Sequence, residues 1–449
     1  MNQKNNENNI LIISNIISWC ICLIPLVLIF SNSIADIIAV GASFFFIFLS
    51  VKNNNWLWLK EPWVKICLAI YFWLIITSFF AYNVELAFSR SISWVRFVIF
   101  AASLQFFFLN NKKNINRLIF CTLITLIYVN IEMLIEKFAG YSLYSELREL
   151  LFESPKFAGG PSRLSGPFKD APKSGIFLAY FILPTILGVL KMIKKKLSYN
   201  FLLILLLSFL IINIYLIFES GHRTSILSIF ISSVAFMIYF FWNKKKIIIF
   251  AVTIFLIGTF LYNSNLNNKN TTAYNKTIEE IKNYSNSAYG SISLTAFKMF
   301  KHHPIFGIGL KNYRVACEKD KFLSKGHLGS GYGVSPWKGH YNKELEKHYE
   351  ATCSSHPHNL YLTWLAETGL IGLLLFIFFI VTTCKKILKN KKIISNQIVA
   401  LGILLSLFPK LLPMMPSLNI FSNWNAICFW FLIGWLLSFF PKNTSEKNL

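Results

Sequence analysis

Residues 359–383, NLYLTWLAETGLIGLLLFIFFIVTT, indicate the class of fold to which this chain belongs. An apolar run of this length can cross a bilayer as a helix, because lipid offers no partners to unpaired backbone groups. The whole chain has the same character: 55% of its residues are hydrophobic, 14% are charged and the mean hydropathy is +0.52. Soluble globular domains are less apolar and carry about a quarter charged residues. The sequence therefore predicts an all-α, polytopic membrane protein.

Apolar runs separated by polar connections divide the chain into about twelve predicted transmembrane spans. The first nine cover residues 10–30, 34–51, 63–81, 92–109, 117–135, 174–190, 200–218, 223–242 and 247–262. The last three cover residues 359–383, 397–412 and 423–440. The predicted organisation is therefore residues 1–262 with nine spans and an outer loop at 136–173, a large loop at 263–358, and residues 359–449 with three spans and a tail.

Basic residues cluster in alternate short connections between the predicted spans. The clusters are Lys52, Lys60 and Lys65; Lys112, Lys113 and Arg117; Lys191 and Lys194 to Lys196; Lys244 to Lys246; and Lys385, Lys386, Lys389, Lys391 and Lys392. Cytoplasmic loops of membrane proteins carry such an excess of Lys and Arg. The pattern predicts that both termini are cytoplasmic and that segments 136–173 and 263–358 both lie outside.

The net charge of +24 has two components with different meanings. The inner clusters follow from topology, so they indicate no nucleic-acid partner. Segment 263–358, which topology does not require to be basic, carries 13 Lys or Arg against 7 Asp or Glu. Two interpretations of this surplus remain open: a solvated basic domain, or a surface that attracts an anionic, phosphorylated substrate.

One pattern in the sequence resembles the signature of a known family. His358-Asn359, nine further residues and Gly369-Leu370-Ile371-Gly372 are similar to the His-Asn-x9-Gly-x-x-Gly signature of bacterial O-antigen ligases. The resemblance implies a fold similar to the GT-C membrane glycosyltransferases, with a large periplasmic loop between spans nine and ten, in the inner membrane of a Gram-negative bacterium. It also implies metal-independent glycan transfer, without a cofactor, from undecaprenyl pyrophosphate to an acceptor sugar on lipid A core. Membrane lipids are the remaining partners implied.

His358 is the candidate catalytic base. It lies where the long polar segment meets predicted span ten, a position suited to a substrate that is half lipid and half water-soluble. An imidazole with an ordinary pKa of about 6.5 is largely neutral at working pH and can accept the proton of an attacking hydroxyl. His356 lies one step further into the loop and matches no signature position. The alternative role for His358 is structural, as a cap or head-group contact at the start of the span.

Four arginines are candidates for binding the pyrophosphate of the donor: Arg96, Arg163, Arg223 and Arg314. A guanidinium suits this role because it forks onto phosphate oxygens. Arg223 lies in Gly-His-Arg-Thr, which replaces a Ser-Arg-Gly-like step of the family, and Arg163 begins an Arg-x-x-Gly-x-Phe stretch that also resembles it. The alternative role is a cation that snorkels to head groups for Arg223, a loop cation for Arg163 and a surface anchor for Arg96.

Two of these arginines have particular surroundings in the sequence. Arg96 lies in the outer half of span four, where a charge is costly unless it faces a cavity or a partner. Arg314 follows a His-Pro-x-x-Gly-x-Gly step, residues 303–309, that is similar to one in the family. Its alternating glycines permit either a tight backbone or close approach of a ligand.

Other features of segment 263–358 are predicted to be structural. Seven of the chain's eight histidines fall in it, but their spacings fit no standard zinc arrangement, so no metal site is predicted. Residues 287–301 have the apolar periodicity of an amphipathic helix. Cys317 and Cys353 could form a disulfide outside the cytoplasm, and two free thiols are the alternative.

Two other functions remain open at this stage. An O-antigen polymerase shares the architecture and the donor, and the equal spacing of Arg163 to Gly175 and Arg314 to Gly326 faintly resembles the paired Arg-rich loops of polymerases. Twelve spans would also suit a transporter. The single large outer loop and the lack of a half-to-half repeat argue against that class.

Overall fold

The computed structural model of the chain describes residues 2–144, 146–147, 164–168, 173–193, 199–240, 282–284, 287–317, 319, 321–322, 354–413, 415–416 and 419–441. These residues form helices, turns and connections, and none of them lies in a β-strand. One isolated antiparallel bridge among them joins Asn359 to Pro416. The predicted all-α class is confirmed for this part of the chain.

Fifteen α-helices in the described residues are named α1 to α15 in chain order. The first nine are α1 (Asn2–Cys22), α2 (Ile24–Phe30), α3 (Asn32–Lys52), α4 (Pro62–Ser78), α5 (Val84–Ser103), α6 (Lys112–Ala139), α7 (Ser174–Ile193), α8 (Tyr199–Glu219) and α9 (Arg223–Phe240). The others are α10 (Ala288–His302), α11 (Tyr313–Ala316), α12 (Leu360–Lys389), α13 (Lys391–Asn396), α14 (Ile398–Leu407) and α15 (Asn423–Ser438). A π-helical turn, Leu104–Phe108, continues α5, and a 3-10 turn, Phe408–Leu411, follows α14.

Length and hydropathy identify the helices that can cross a membrane. Within the described ranges, α3, α5 with its π-helical turn, α6, α7 and α12 qualify, and α1 with α2 makes a sixth if the bent pair counts as one span. Shorter apolar helices lie in α4, α8, α9, α14 and α15. The chain is therefore a polytopic membrane protein. The total of twelve spans stays a prediction, and predicted span nine, residues 247–262, lies outside the described residues.

Two predicted spans differ from the helices observed. Predicted span one, residues 10–30, is two helices that meet at Leu23 with a bend of 57°. Pro25 at the start of α2 causes the break, because proline has no N–H to donate a helical backbone hydrogen bond. Predicted span four starts at residue 92, but α5 already begins at Val84, where the side chain of Asn83 caps the helix. Hydropathy had set the predicted start, whereas the cap sets the real one.

Helices α7 and α15 form the centre of the bundle. Every residue from Ser174 to Val189 is buried, and so is every residue from Trp424 to Leu437. Helices that are apolar and buried on all sides pack against protein rather than lipid. Helix α7 contacts α6, α8 and α14, and α15 contacts α5. The helices around them carry the exposed Phe, Ile and Leu side chains that suit a lipid environment.

Ion pairs join segments of the bundle that are far apart in sequence. Arg96 of α5 donates from Nε to Asp36 of α3 at 2.9 Å and from Nη2 to Asn423 of α15 at 3.2 Å. Lys386 of α12 donates to the fully buried Glu61, which precedes α4, at 2.7 Å. Removing Lys386 would be strongly destabilising because Glu61 is buried, whereas the Arg96 contacts are partly exposed; both help to fix how the helices are aligned.

Helix α10 confirms the amphipathic helix predicted at residues 287–301, and Ser287 caps its first turn. Its apolar face, Ile292, Ala296 and Met299, is buried in a small cluster with Ala366 of α12. Helix α10 therefore lies beside the start of α12, where the His-Asn pair of the signature is found.

Candidate active site

The segment after α10 crosses α12 where that helix is broken at Gly369. Backbone N–H groups of this segment donate to α12, and one N–H of α12 donates back: Ile308 to Ala366 at 3.0 Å, Gly309 to Glu367 at 3.0 Å, and Leu370 to Pro304 at 2.8 Å. The crossing therefore fixes the outer segment directly onto the helix that carries the signature.

Two glycines permit this crossing. Gly369 has φ 70° and ψ −172°, a conformation that side chains with a Cβ rarely adopt. A Cβ at this position would lie 1.9 Å from the carbonyl oxygen of Ile305. A Cβ on Gly307 would lie 2.5 Å from the backbone of Glu367. Of the two roles expected for the alternating glycines, tight backbone packing is the one that this geometry displays.

His358 stands just before α12 in a left-handed backbone conformation. Its φ of 53° is uncommon for a residue with a Cβ and marks a strained position. Asn359, not His358, is the helix cap: its side chain accepts from the N–H of Leu362 at 3.0 Å and donates to the carbonyl of Pro413 at 2.7 Å. The alternative role of His358 as the cap is therefore wrong.

Polar and aromatic groups surround the imidazole of His358. Ser354 Oγ lies 3.0 Å from His358 Nε2, and the ring of His356 lies 4.1 Å away between centroids. Tyr289 of α10, which was not predicted from the sequence, packs edge-on at 5.8 Å. Burial lowers the pKa of His358 because desolvation disfavours the imidazolium form. The side chain is thus neutral near pH 7 and suited to accept a proton.

Arg314 lies on the short helix α11, which follows a loop that is bonded to α12 and to the turn before α5. The N–H of Lys311 donates to the Glu367 carboxylate at 2.9 Å, and the Asn312 side chain accepts from the N–H of Asn83 at 2.6 Å. Glu367 is fully buried, and burial lowers the pKa of Lys311 to about 8. The sequence analysis missed Glu367, although an acid inside an apolar run was an available signal.

Arg223 is the first residue of α9, and the imidazole of His222 caps that helix. The N–H of Ser225 donates to His222 Nδ1 at 3.3 Å, and the hydroxyls of Thr224 and Ser225 each lie 2.9 Å from the same atom. Because a backbone N–H can only donate, Nδ1 is an acceptor and the neutral ring carries its proton on Nε2. His222, which the sequence analysis missed, therefore helps to hold Arg223 at the start of α9.

A cleft brings the surroundings of Arg223 and His358 together. Residues from α7, α9, α12 and the chain after α14 line it, among them Tyr180, His222, Thr224, Leu360, Lys410 and Pro416. Two of these residues flank Arg223, Leu360 is the second residue after His358, and Pro416 forms the bridge to Asn359. Arg223 and His358 do not themselves line the cleft, but residues within two positions of each of them do.

The remaining predicted arginines have different outcomes. Arg96 was expected to have a partner because it lies within predicted span four, and its guanidinium bonds to Asp36 and Asn423. Its contact with a substrate phosphate stays a prediction. Arg163 lies outside the described residues. The stretch that it begins can be followed from residue 164 onward, where backbone N–H groups donate to Glu136 of α6.

The histidines, acids and cysteines of the described residues form no metal cluster, and one cysteine among them is bonded to another. Within those ranges, no group of three or more His, Cys, Asp or Glu side chains could hold a metal ion. Cys317 is disulfide-bonded, and six other cysteines carry free thiols. Its predicted partner, Cys353, lies outside the described residues, so that pairing stays a prediction.

Comparison with family models matches residues 206–377 to the O-antigen ligase family. Over residues 206–377, the matched O-antigen ligase domain, the chain is similar to that family. The resemblance inferred from the His-Asn signature is thereby confirmed. No curated protein matches the chain.

The O-antigen ligase domain holds much of the candidate site. It runs from within α8 to the middle of α12 and includes Arg223, Arg314 and His358. Arg96 and Arg163 precede it, whereas Lys410 and Pro416 follow it. The cleft is therefore completed by residues outside the matched domain.

Proposed function

We propose that this protein is a membrane glycosyltransferase that moves a glycan from undecaprenyl pyrophosphate to an acceptor sugar on lipid A core. The O-antigen ligase domain supports this class of reaction. The observation that carries the proposal is the setting of His358: a neutral imidazole, held in a strained backbone, beside a cleft whose walls include both neighbours of Arg223. Strained backbone positions concentrate at functional sites.

The transfer needs a base and a cationic site for the leaving group. The acceptor hydroxyl attacks the anomeric carbon of the first donor sugar, and its proton passes to the imidazole of His358. The bond from that carbon to the phosphate oxygen breaks, and undecaprenyl pyrophosphate leaves with the bonding electrons. Arg223 and Arg314 stabilise the charge that develops on the leaving oxygen. No step requires a metal ion or a cofactor.

The other two arginines have subordinate roles in this proposal. Arg163 is a further proposed contact to the donor phosphates. Arg96 is the weaker candidate, because a guanidinium that is already bonded to Asp36 has fewer donors to offer a phosphate.

The proposed active site faces the periplasm from the inner membrane, with both chain termini in the cytoplasm. The alternating basic clusters support this orientation. Residues 263–358 are then the large periplasmic loop, and residues 1–262 and 359–449 are the membrane parts on either side of it. Because both substrates are lipid-anchored, the cleft must be open to the outer leaflet.

The decisive experiment compares two acceptors for one donor. Full-length protein in nanodiscs receives an undecaprenyl-pyrophosphate glycan with lipid A core, or with a second donor molecule only, in the presence of EDTA. We expect glycan on lipid A core. Elongated glycan that stays on undecaprenyl pyrophosphate would identify a polymerase instead, and no product with either acceptor would reject glycosyl transfer.

A further inference from the structure

Two lysines lie at the end of the bundle that carries His358. Lys173 precedes α7, and Lys410 lies in the 3-10 turn after α14. Topology does not require positive charge at this end, since the basic clusters occupy the other one. Each ammonium group lies over an aromatic ring: Lys410 Nζ is 4.3 Å from the ring centre of Tyr180, and Lys173 Nζ is 5.7 Å from that of Trp424.

The same two rings separate the lysines into different clefts. Tyr180 and Trp424 pack against each other with ring centroids 6.4 Å apart. Lys410 lines the cleft that adjoins Arg223 and His358, whereas Lys173 lines a second cleft with Trp424, Phe168 and Tyr144. The molecule thus contains two similar lysines, of which one shares the candidate active site.

Neither lysine forms an ion pair with a carboxylate among the described residues, although Arg96, Lys137 and Lys386 each do. A cation surrounded by apolar side chains is costly without a counter-ion, and contact with one ring offsets only part of that cost. Lys410 therefore remains available to an anion that enters its cleft.

The rest of that cleft is largely apolar. Beside Lys410 its lining includes Ile176, Leu360, Leu411, Met415 and Phe429. Such walls suit a hydrocarbon chain, and one ammonium group suits a phosphate at the end of that chain. The combination fits an isoprenoid phosphate better than a free sugar, which would need many polar contacts.

We propose that Lys410 binds a phosphate of the polyprenyl-linked substrate beside the apolar walls of its cleft. This inference rests on the proposed function, because it assigns to the lipid-linked donor a contact beyond Arg223 and Arg314. Lys173, on the far side of the Tyr180 and Trp424 rings, has no part in that contact.

The test measures equilibrium binding of a fluorescent polyprenyl pyrophosphate to the full-length protein in nanodiscs of zwitterionic lipid. Lys410→Met keeps the length of the side chain and removes its charge, so binding should weaken by about tenfold or more, as expected when a charge-assisted hydrogen bond is lost. Lys410→Arg should bind within a few-fold of wild type. The matched control, Lys173→Met, should leave binding unchanged.

Competition distinguishes the source of the phosphate. Unlabelled polyprenyl monophosphate should displace the probe, whereas inorganic pyrophosphate or phosphatidylglycerol at equal concentration should not. Displacement by inorganic pyrophosphate alone, or by phosphatidylglycerol, would overturn the assignment of a polyprenyl chain. Unchanged binding in Lys410→Met, or an equal loss in Lys173→Met, would overturn the role of Lys410.

Two further readouts keep the result interpretable. Thermal unfolding checks that each variant is folded, and Lys410→Gln replaces Lys410→Met if the latter is not. If Lys410→Met binds the probe more weakly than wild type does, but the wild type transfers no glycan, the proposed function is rejected and the phosphate site is kept. If the wild type transfers glycan and both Lys410→Met and Lys410→Gln bind the probe normally, the role of Lys410 is rejected and the proposed function is kept.

Discussion

His358 and Gly369 lie at opposite ends of one signature and both have positive φ, 53° and 70°. At Gly369 the conformation lets two backbones pack together, and the residue without a Cβ avoids the strain. At His358 a residue with a full side chain keeps the strain, beside His356, Ser354 and the cleft. A strained position that is not occupied by glycine supports the hypothesis that its side chain has a function, here the proposed role of His358 as the base. Under the proposed function, one short motif combines a packing requirement with a chemical one.

Gly369→Ala should have the largest effect and should act on the fold. The backbone strain alone costs about 1–3 kcal/mol, and the contact with the carbonyl of Ile305 adds to it. We expect little folded protein and a lowered unfolding temperature in detergent. Gly41→Ala is the matched control, because a Cβ there meets nothing within 4 Å. Equal unfolding temperatures of Gly369→Ala and Gly41→Ala would contradict a packing requirement at Gly369.

His358→Ala should act on chemistry and leave the fold intact. Loss of a general base lowers the rate of transfer by about 100-fold or more, while the unfolding temperature and donor binding stay near those of wild type. His356→Ala is the control that lies one proline away. An inactive His356→Ala beside an active His358→Ala would move the base by two residues, and normal turnover in both would reject a histidine base here.

Arg223→Ala should weaken both donor binding and turnover, by about 10- to 100-fold, because a charge-assisted contact to the pyrophosphate is lost. Arg223→Lys should recover part of the binding, since lysine keeps the positive charge but cannot bind phosphate through two N–H groups as a guanidinium does. Arg117→Ala is the control: that arginine lies over the ring of Trp19 at the end of α6 distant from the cleft. Unchanged donor affinity in Arg223→Ala would assign the pyrophosphate to other cations.

The pH dependence of transfer should reflect the burial of His358. Burial lowers its pKa, so the neutral, proton-accepting form persists below the ordinary value of about 6.5. Activity should therefore be present above the lowered pKa and should be lost as pH falls through it. The measurement is the rate of transfer between pH 5 and 8 at saturating donor. An acid limb centred above pH 6.5 would contradict a buried base.

Local patterns made part of this structure predictable. Apolar runs gave the positions of α7 and α12 to within a few residues, and the period of residues 287–301 predicted α10. The signature pointed to His358. Pattern reasoning fails where a contact joins distant segments, because neither segment alone records it.

The missed residues illustrate that limit. The carboxylate of Glu367 receives an N–H from a residue 56 positions away, and His222 caps a helix through a side-chain nitrogen that no common capping pattern includes. In the sequence, Lys410 is a polar residue near the end of the apolar run 397–412. Only the packing of α7 against α14 shows that it lies over Tyr180 and lines a cleft.

Glu61 and Lys386 are 325 positions apart in the chain, so the carboxylate before α4 is synthesised long before the lysine that pairs with it. At ribosomal rates of about 5–20 residues per second, that interval lasts on the order of tens of seconds. During it, the ion pair between the carboxylate of Glu61 and the ammonium group of Lys386 cannot form. The contact that ties the start of α4 to the end of α12 is therefore one of the last to form, after most of the chain has been translated.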